Sequence, residues 1–131
     1  MSADNGIYIL KTKDGLFKVI KAQAFDLHLS WMDEGFSTDK IQPARLFQYF
    51  WNCKGTKNEA IARRIASTLY KEEKKKHGYV EYGIRTIQTS YTWNKLEKIA
   101  KSHILVEMNF LKNHPSTFND CQLKQLQAIV M

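Results

Sequence analysis

The chain has 131 residues, with 20 Lys and Arg against 13 Asp and Glu, a net charge of +7, and apolar and aromatic fractions of 44% and 12%. That is length enough for one core burying roughly two-thirds of the unfolded surface, and the composition excludes a disordered chain. Two cysteines, Cys53 and Cys121, exclude a disulfide framework, and the positive charge favours nucleic acid or an acidic protein surface as partner.

Residues 6–25 predict a β-hairpin closed by Asp14-Gly15, since a two-residue type I′ turn needs positive φ at both central positions. That turn pairs Lys11 with Lys18, Ile9 with Ile20 and Ile7 with Ala22 on one face. Thr12 and Phe17, Leu10 and Val19, and Tyr8 and Lys21 pair on the other. The root is then apolar on both faces, which calls for cover from both sides or an oligomer contact. The tip is basic on one face: Lys11, Lys13 and Lys18 either splay into water or bind an anion.

Residues 26–42 have no clean period and predict a loop with a short helical turn, pinned by Leu29, Trp31 and Phe36. Pro43 suits the first position of a helix carrying Ala44, Leu46, Phe47, Phe50 and Trp51, and Gly55 stops it. Its aromatic density suits a core; an exposed platform for bases or a partner is the other use. Thr56 and Glu59 form a capping box, opening a helix over about 57–76 with Ile61, Ile65 and Leu69 as the buried stripe and Ala62 and Ala66 beside it. Arg63, Arg64, Lys71, Lys74 and Lys75 fall largely on the other side, and Gly78 ends the helix. Lys74, Lys75 and Lys76 also complement the helix dipole, so solvation and a phosphate- or acid-binding stripe are both open.

Tyr79–Gln88 alternates and predicts a third strand, with Gly83 marking a bulge or a close approach. Trp93, Leu96, Ala100, Ile104, Met108 and Leu111 mark one long helix, although His103–Phe110 also alternates. Pro115 breaks it. A last helix from Thr117 carries Leu123, Leu126, Ile129 and Val130, to dock on its own core or on a second copy.

The reading is an α+β domain over 1–131. A hairpin and a third strand form a small antiparallel or mixed sheet packed by the capped helix, giving a ββ-α-α-β core over 1–88 with a helical extension over 89–131. No apolar run reaches the roughly 18 residues of a membrane span, and the N-terminus lacks a signal-peptide pattern. His28, His77, His103 and His114 stand apart from Cys, Asp and Glu at ligand spacing, and no phosphate-cradling loop or nucleophile elbow occurs. His103 and Glu107 lie one helical turn apart. No metal, cofactor or catalytic residue is therefore assigned, and the expectation is a protein without enzymatic activity.

Three passages carry a resemblance: Ala3-Asp4-Asn5-Gly6-Ile7-Tyr8-Ile9-Leu10, Tyr49-Phe50 with Asn58-Glu59-Ala60-Ile61-Ala62, and Glu81-Tyr82-Gly83-Ile84. Over about residues 3–88 the chain resembles a group of small uncharacterised proteins encoded by tailed bacteriophages. The resemblance transfers no activity or site residue. It implies a viral origin, expression in a bacterial cytoplasm and a role in manipulating the host. The expected function is a binding protein that docks on and inhibits or redirects a host protein complex. The alternative is a DNA- or RNA-binding protein using Lys11, Lys13 and Lys18 with Arg63, Arg64, Lys71, Lys74 and Lys75.

Overall fold

A computed structural model describes residues 5–23 and 43–130. The loop expected at 26–42, with Leu29, Trp31 and Phe36, lies outside the described residues, as do Ala3 and Asp4. In chain order the elements are β1 (Asn5–Lys11), β2 (Phe17–Gln23), α1 (Pro43–Phe50), α2 (Glu59–His77), β3 (Ile84–Gln88), α3 (Trp93–Asn113) and α4 (Thr117–Val130). The fold is α+β, and the sheet is mixed.

β1 occupies the centre of the sheet, in the order β2-β1-β3, antiparallel to β2 and parallel to β3. Its composition explains the position. Ile7, Tyr8, Ile9 and Leu10 are an unbroken apolar run, which is stable only where both faces of the strand are covered, and all four are buried. On one face Ile7 and Ile9 join Phe17, Ala62 and Ala66 under α2. On the other, Tyr8 and Leu10 join Ile87 and the buried residues of α1, α3 and α4. The apolar root is thus covered from both sides within one chain.

The hairpin register departs from the expected one. Observed pairs are Lys11 with Phe17, Leu10 with Lys18, Ile9 with Val19 and Tyr8 with Ile20. The cause is the turn. The Thr12 N–H donates to Leu16 O at 3.0 Å and the Gly15 N–H to Thr12 O at 3.1 Å, so three residues form the loop instead of two. Gly15 sits at φ 80°. A tight turn followed by a left-handed glycine is the common three-residue alternative to a type I′ hairpin. The slip moves β2 by one residue and exchanges its two faces relative to β1.

α2 starts later than expected and buries a different stripe. Thr56 is not its cap: its backbone pairs with Phe17, N–H to O at 2.7 and 2.9 Å. The Asn58 side chain caps instead, accepting from the Ile61 N–H at 3.3 Å. The buried positions are Ala62, Ala66 and Glu73, while Ile61 and Ile65 stay 42% and 38% exposed. The sheet supplies the bulk here through Ile7, Ile9 and Phe17. Alanines therefore fit the contact line, and the isoleucines flank it.

The expected strand over Tyr79–Gln88 contracts to Ile84–Gln88 because residues 80–83 turn, the Gly83 N–H donating to Val80 O at 3.2 Å with Gly83 at φ 63°, and Asn5 holds that turn. The Glu81 N–H donates to Asn5 Oδ1 at 2.9 Å and the Tyr82 N–H to Asn5 O at 3.0 Å. The Ile7 N–H then donates to Gly83 O at 2.9 Å, and parallel pairing starts at Ile7 and Ile84. Gly6 belongs to the same joint: a Cβ there would meet the Tyr8 hydroxyl oxygen at 2.8 Å.

α3 follows its predicted stripe closely. Thr92 caps it, accepting from the Lys95 N–H at 3.2 Å, and Leu96, Ala100, Ile104, Met108 and Leu111 are buried. With Leu126 they supply half of the larger core cluster, so α3 and α4 complete the fold rather than extend it. Leu123, Ile129 and Val130 of α4 pack against that same cluster. The apolar residues of α4 are thus used on the chain's own core.

Candidate functional site

The register slip decides the fate of Lys18. Opposite Leu10, it points into the Tyr8 face and is buried. Its ammonium donates to Phe50 O at 3.1 Å and Trp51 O at 3.4 Å. It also lies 3.9 Å from the centre of the Trp93 ring. It caps carbonyls at the end of α1, where a cation meets the negative pole of the helix, and a face of indole adds a cation–π contact. Burial pushes the Lys18 amine below its ordinary pKa, opposed by the charges of Cys53 and Glu97. Burial in turn pushes the Cys53 thiol up, opposed by Lys18. Lys18 is therefore a structural cation and not the surface anion contact the sequence suggested.

The other hairpin lysines remain outside the core. Lys13 is exposed, and Lys11 is half-buried with its ammonium 5.9 Å from the Phe17 ring centre. The tip is held by Thr12, whose hydroxyl donates to the Asp14 carboxylate. This bond is the main reason the Asp14 carboxyl lies below its usual pKa. Slight burial opposes the shift, and the N–H groups of Asp14 and Trp93 and the charge of Lys57 add to it. The tip therefore sits beside the start of α3.

On α2, Arg63, Arg64, Lys71, Lys74 and Lys75 are all exposed. Arg63 pairs with Glu59 at 3.2 Å. The lysines at the end of α2 and the hairpin tip lie at opposite ends of the sheet, because α2 ends beside the hairpin root. There Glu73, buried among its partners, accepts from Asn5 Nδ2 at 3.3 Å and pairs with Lys21 at 3.2 Å and His77 at 3.4 Å. Burial works to raise the Glu73 carboxyl. The Asn5 and Lys21 donors and the charges of Lys21 and His77 outweigh it, so the pKa falls below its ordinary value. Asn5 also donates to Tyr79 O at 2.9 Å. The proposed basic site thus divides: the hairpin and the end of α2 do not form one patch.

Sequence reasoning missed the outward face of α3. Leu105, Val106 and Phe110 are exposed there, Val106 to 71%, and Phe118 on the first turn of α4 is exposed to 76%. Phe110 stacks on His114, ring centres 4.2 Å apart, and His114 O accepts from Asn119 of α4 at 2.6 Å. Lys95, Lys98 and Lys112 are exposed on the same helix. Its carboxylates are engaged elsewhere: Glu97 pairs with Lys101 at 2.9 Å and Glu107 accepts from Gln122 at 2.9 Å. The alternation of Val106 and Phe110 with the buried stripe was the available signal, since apolar residues at those positions have no use in the core.

Between α1, α3 and α4 lies a groove of about 510 Å³ lined by Arg45, Gln48, Tyr49, His103, Glu107, Gln122 and Gln125 over Leu126 and Ile129. His103 and Glu107 both line this groove, with the Glu107 carboxylate held by Gln122. Among the described residues no group of three His, Cys, Asp or Glu side chains could hold a metal ion. Nor is any described helix long and apolar enough to cross a membrane.

Fold and surface together define an α+β protein whose mixed sheet carries a basic helix on one face and a helical layer with exposed apolar residues on the other. Comparison with family models, curated proteins and solved structures returns no match for this chain.

Proposed function

We propose that this is a non-enzymatic docking protein that binds an acidic protein surface through the outward face of α3 and the start of α4. The observation that carries the reading is the set Leu105, Val106, Phe110 and Phe118, exposed on a helical layer whose own core is already complete. Large apolar side chains exposed together, with polar residues around them, mark interaction surfaces. The neighbouring Lys95, Lys98 and Lys112 match a partner bearing carboxylates, and charge of that kind speeds encounter and selects partners. The resemblance of residues 3–88 to tailed-phage proteins supports placing that partner in a bacterial cytoplasm, as a host complex that the protein inhibits or redirects.

The test compares the full chain with a Val106→Asp/Phe110→Asp variant as bait in nuclease-treated bacterial lysate. A stoichiometric acidic protein retained by the native bait and reduced at least about 30-fold on the variant supports the reading, as expected for loss of central apolar anchors. Equal retention on both baits overturns it, and so does capture that disappears with nuclease. Light scattering of the purified chain separates a second alternative: a dimer dispersed by the same variant would make the face a self-contact.

A further inference from the structure

α2 lies on the opposite face of the sheet from α3 and α4, and its outer side has a different chemistry. Its buried line is Ala62, Ala66 and Glu73. Arg64, Lys71 and Lys75 are spaced by seven and four residues, about two turns and one turn, so they fall on one line facing away from the sheet. Lys74 flanks that line. From Arg64 to Lys75 it runs about 16 Å.

The surroundings leave this line cationic. Along α2 six Arg and Lys side chains are exposed, and the exposed carboxylates are Glu59 and Glu72. Glu59 pairs with Arg63, which sets Arg63 apart from the line. Glu73 faces the sheet and is balanced by Lys21 and His77. Between the cations sit Ser67 and Thr68, which are short and let a flat or convex surface approach. The Thr68 hydroxyl donates back to Arg64 O at 3.1 Å, so it does not project as a polar obstacle.

We propose that the outward face of α2 binds the phosphate backbone of a nucleic-acid duplex, with Arg64, Lys71, Lys74 and Lys75 as the contacts. A straight row of fixed charges matches a rod with regularly repeating phosphates. At about 3.4 Å of rise per base pair, the row spans about five steps of B-DNA. Single strands are disfavoured by what the face lacks. Binding them without sequence preference uses aromatic rings as stacking platforms. The aromatic residue of α2, Tyr70, packs against the Ile7 cluster instead. Contacts of this type position a duplex and read no bases, so the binding is independent of sequence. The surface is separate from the α3 face, and neither proposal depends on the other.

The test is fluorescence anisotropy of the full chain with a 20-base-pair duplex of mixed sequence, from 50 to 200 mM salt. Four phosphate contacts on B-DNA predict a slope of log K against log salt of about −3.6, or about 150-fold weaker binding across that range. An Arg64→Gln/Lys71→Gln/Lys75→Gln variant, checked for native circular dichroism, should flatten the slope to about −1. It should also bind at least about 30-fold more weakly at 50 mM. Lys124→Gln, exposed on α4 across the sheet, should change neither, and Val106→Asp should leave duplex binding intact. The proposal is overturned by no binding at 50 mM salt, by an unchanged slope in the triple variant, or by tighter binding to a single strand of equal length. Polyglutamate binding as tightly as the duplex overturns it too, since the face would then be a general acidic-peptide surface.

Discussion

The two faces of the sheet are built on opposite plans. Under α2 the strands supply the bulk and the helix supplies alanines, so the layer is thin and the outer half of the helix remains free to carry charge. Under α1 and α3 the helices supply the bulk. Leu46, Phe47, Phe50, Leu96 and Ile104 fill the space above Tyr8 and Leu10, and the Phe47 and Trp93 rings lie 5.0 Å apart. A cation, Lys18, is built into that aromatic layer because two carbonyls and an indole receive it. The difference teaches that residue type alone does not decide burial where two layers meet. The exposed isoleucines of α2 and the buried lysine of β2 each reverse the usual rule, and both do so through geometry.

The largest effect should come from emptying the thick layer. Phe50→Ala, at a fully buried position, should cost about 3–5 kcal/mol in chemical denaturation. The thin layer should respond to the opposite change: Ala66→Leu should cost about 1–3 kcal/mol by overpacking, and Ile65→Ala much less than a core truncation. If Ala66→Leu proved neutral, the close approach of α2 would be wrong.

Lys18→Met should cost about 1–2 kcal/mol, because two carbonyls lose their donor while the aliphatic volume is kept. Lys13→Met at the exposed tip should stay within about 0.5 kcal/mol. Equal effects would return Lys18 to the surface.

A smaller effect than the core changes is a pH dependence at the hairpin root. The Glu73 carboxyl has a lower pKa folded than unfolded. Its contribution is therefore fully present above the unfolded value of about 4.3 and is lost as pH falls through the folded value. Glu73→Gln should be about 1 kcal/mol less stable than the native chain at pH 7, and the gap should close on acidification below about pH 4. A gap that widened in acid would contradict the network.

Those contrasts also mark what could be read from residues in order. Local signals were enough for the helical stripe of α3, the helix start at Pro43 and the end of α2 at Gly78, because periodicity and caps act within a few turns. The joint between Asn5 and Glu81–Gly83 was not legible, although both passages stood out. The two motifs are one spatial unit more than seventy residues apart in sequence, and the side chain and carbonyl of Asn5 hold the turn at residues 80–83 that precedes β3. Of the candidate site residues, Arg64, Lys71, Lys74 and Lys75 remain together on one exposed face, while Lys18 leaves the site and Lys11 and Lys13 stand at the other end of the sheet.

The amino-acid sequence by itself determined the elements, their order, and the need to cover β1 on both faces, since an unbroken apolar strand admits no other stable arrangement. Tertiary structure decided the hairpin register, the alanine line of α2 and the parallel placement of β3. Each is a choice between local alternatives of similar energy, a two- or three-residue turn, an isoleucine or an alanine stripe. Each is settled only when the opposite layer fixes which side chains have space.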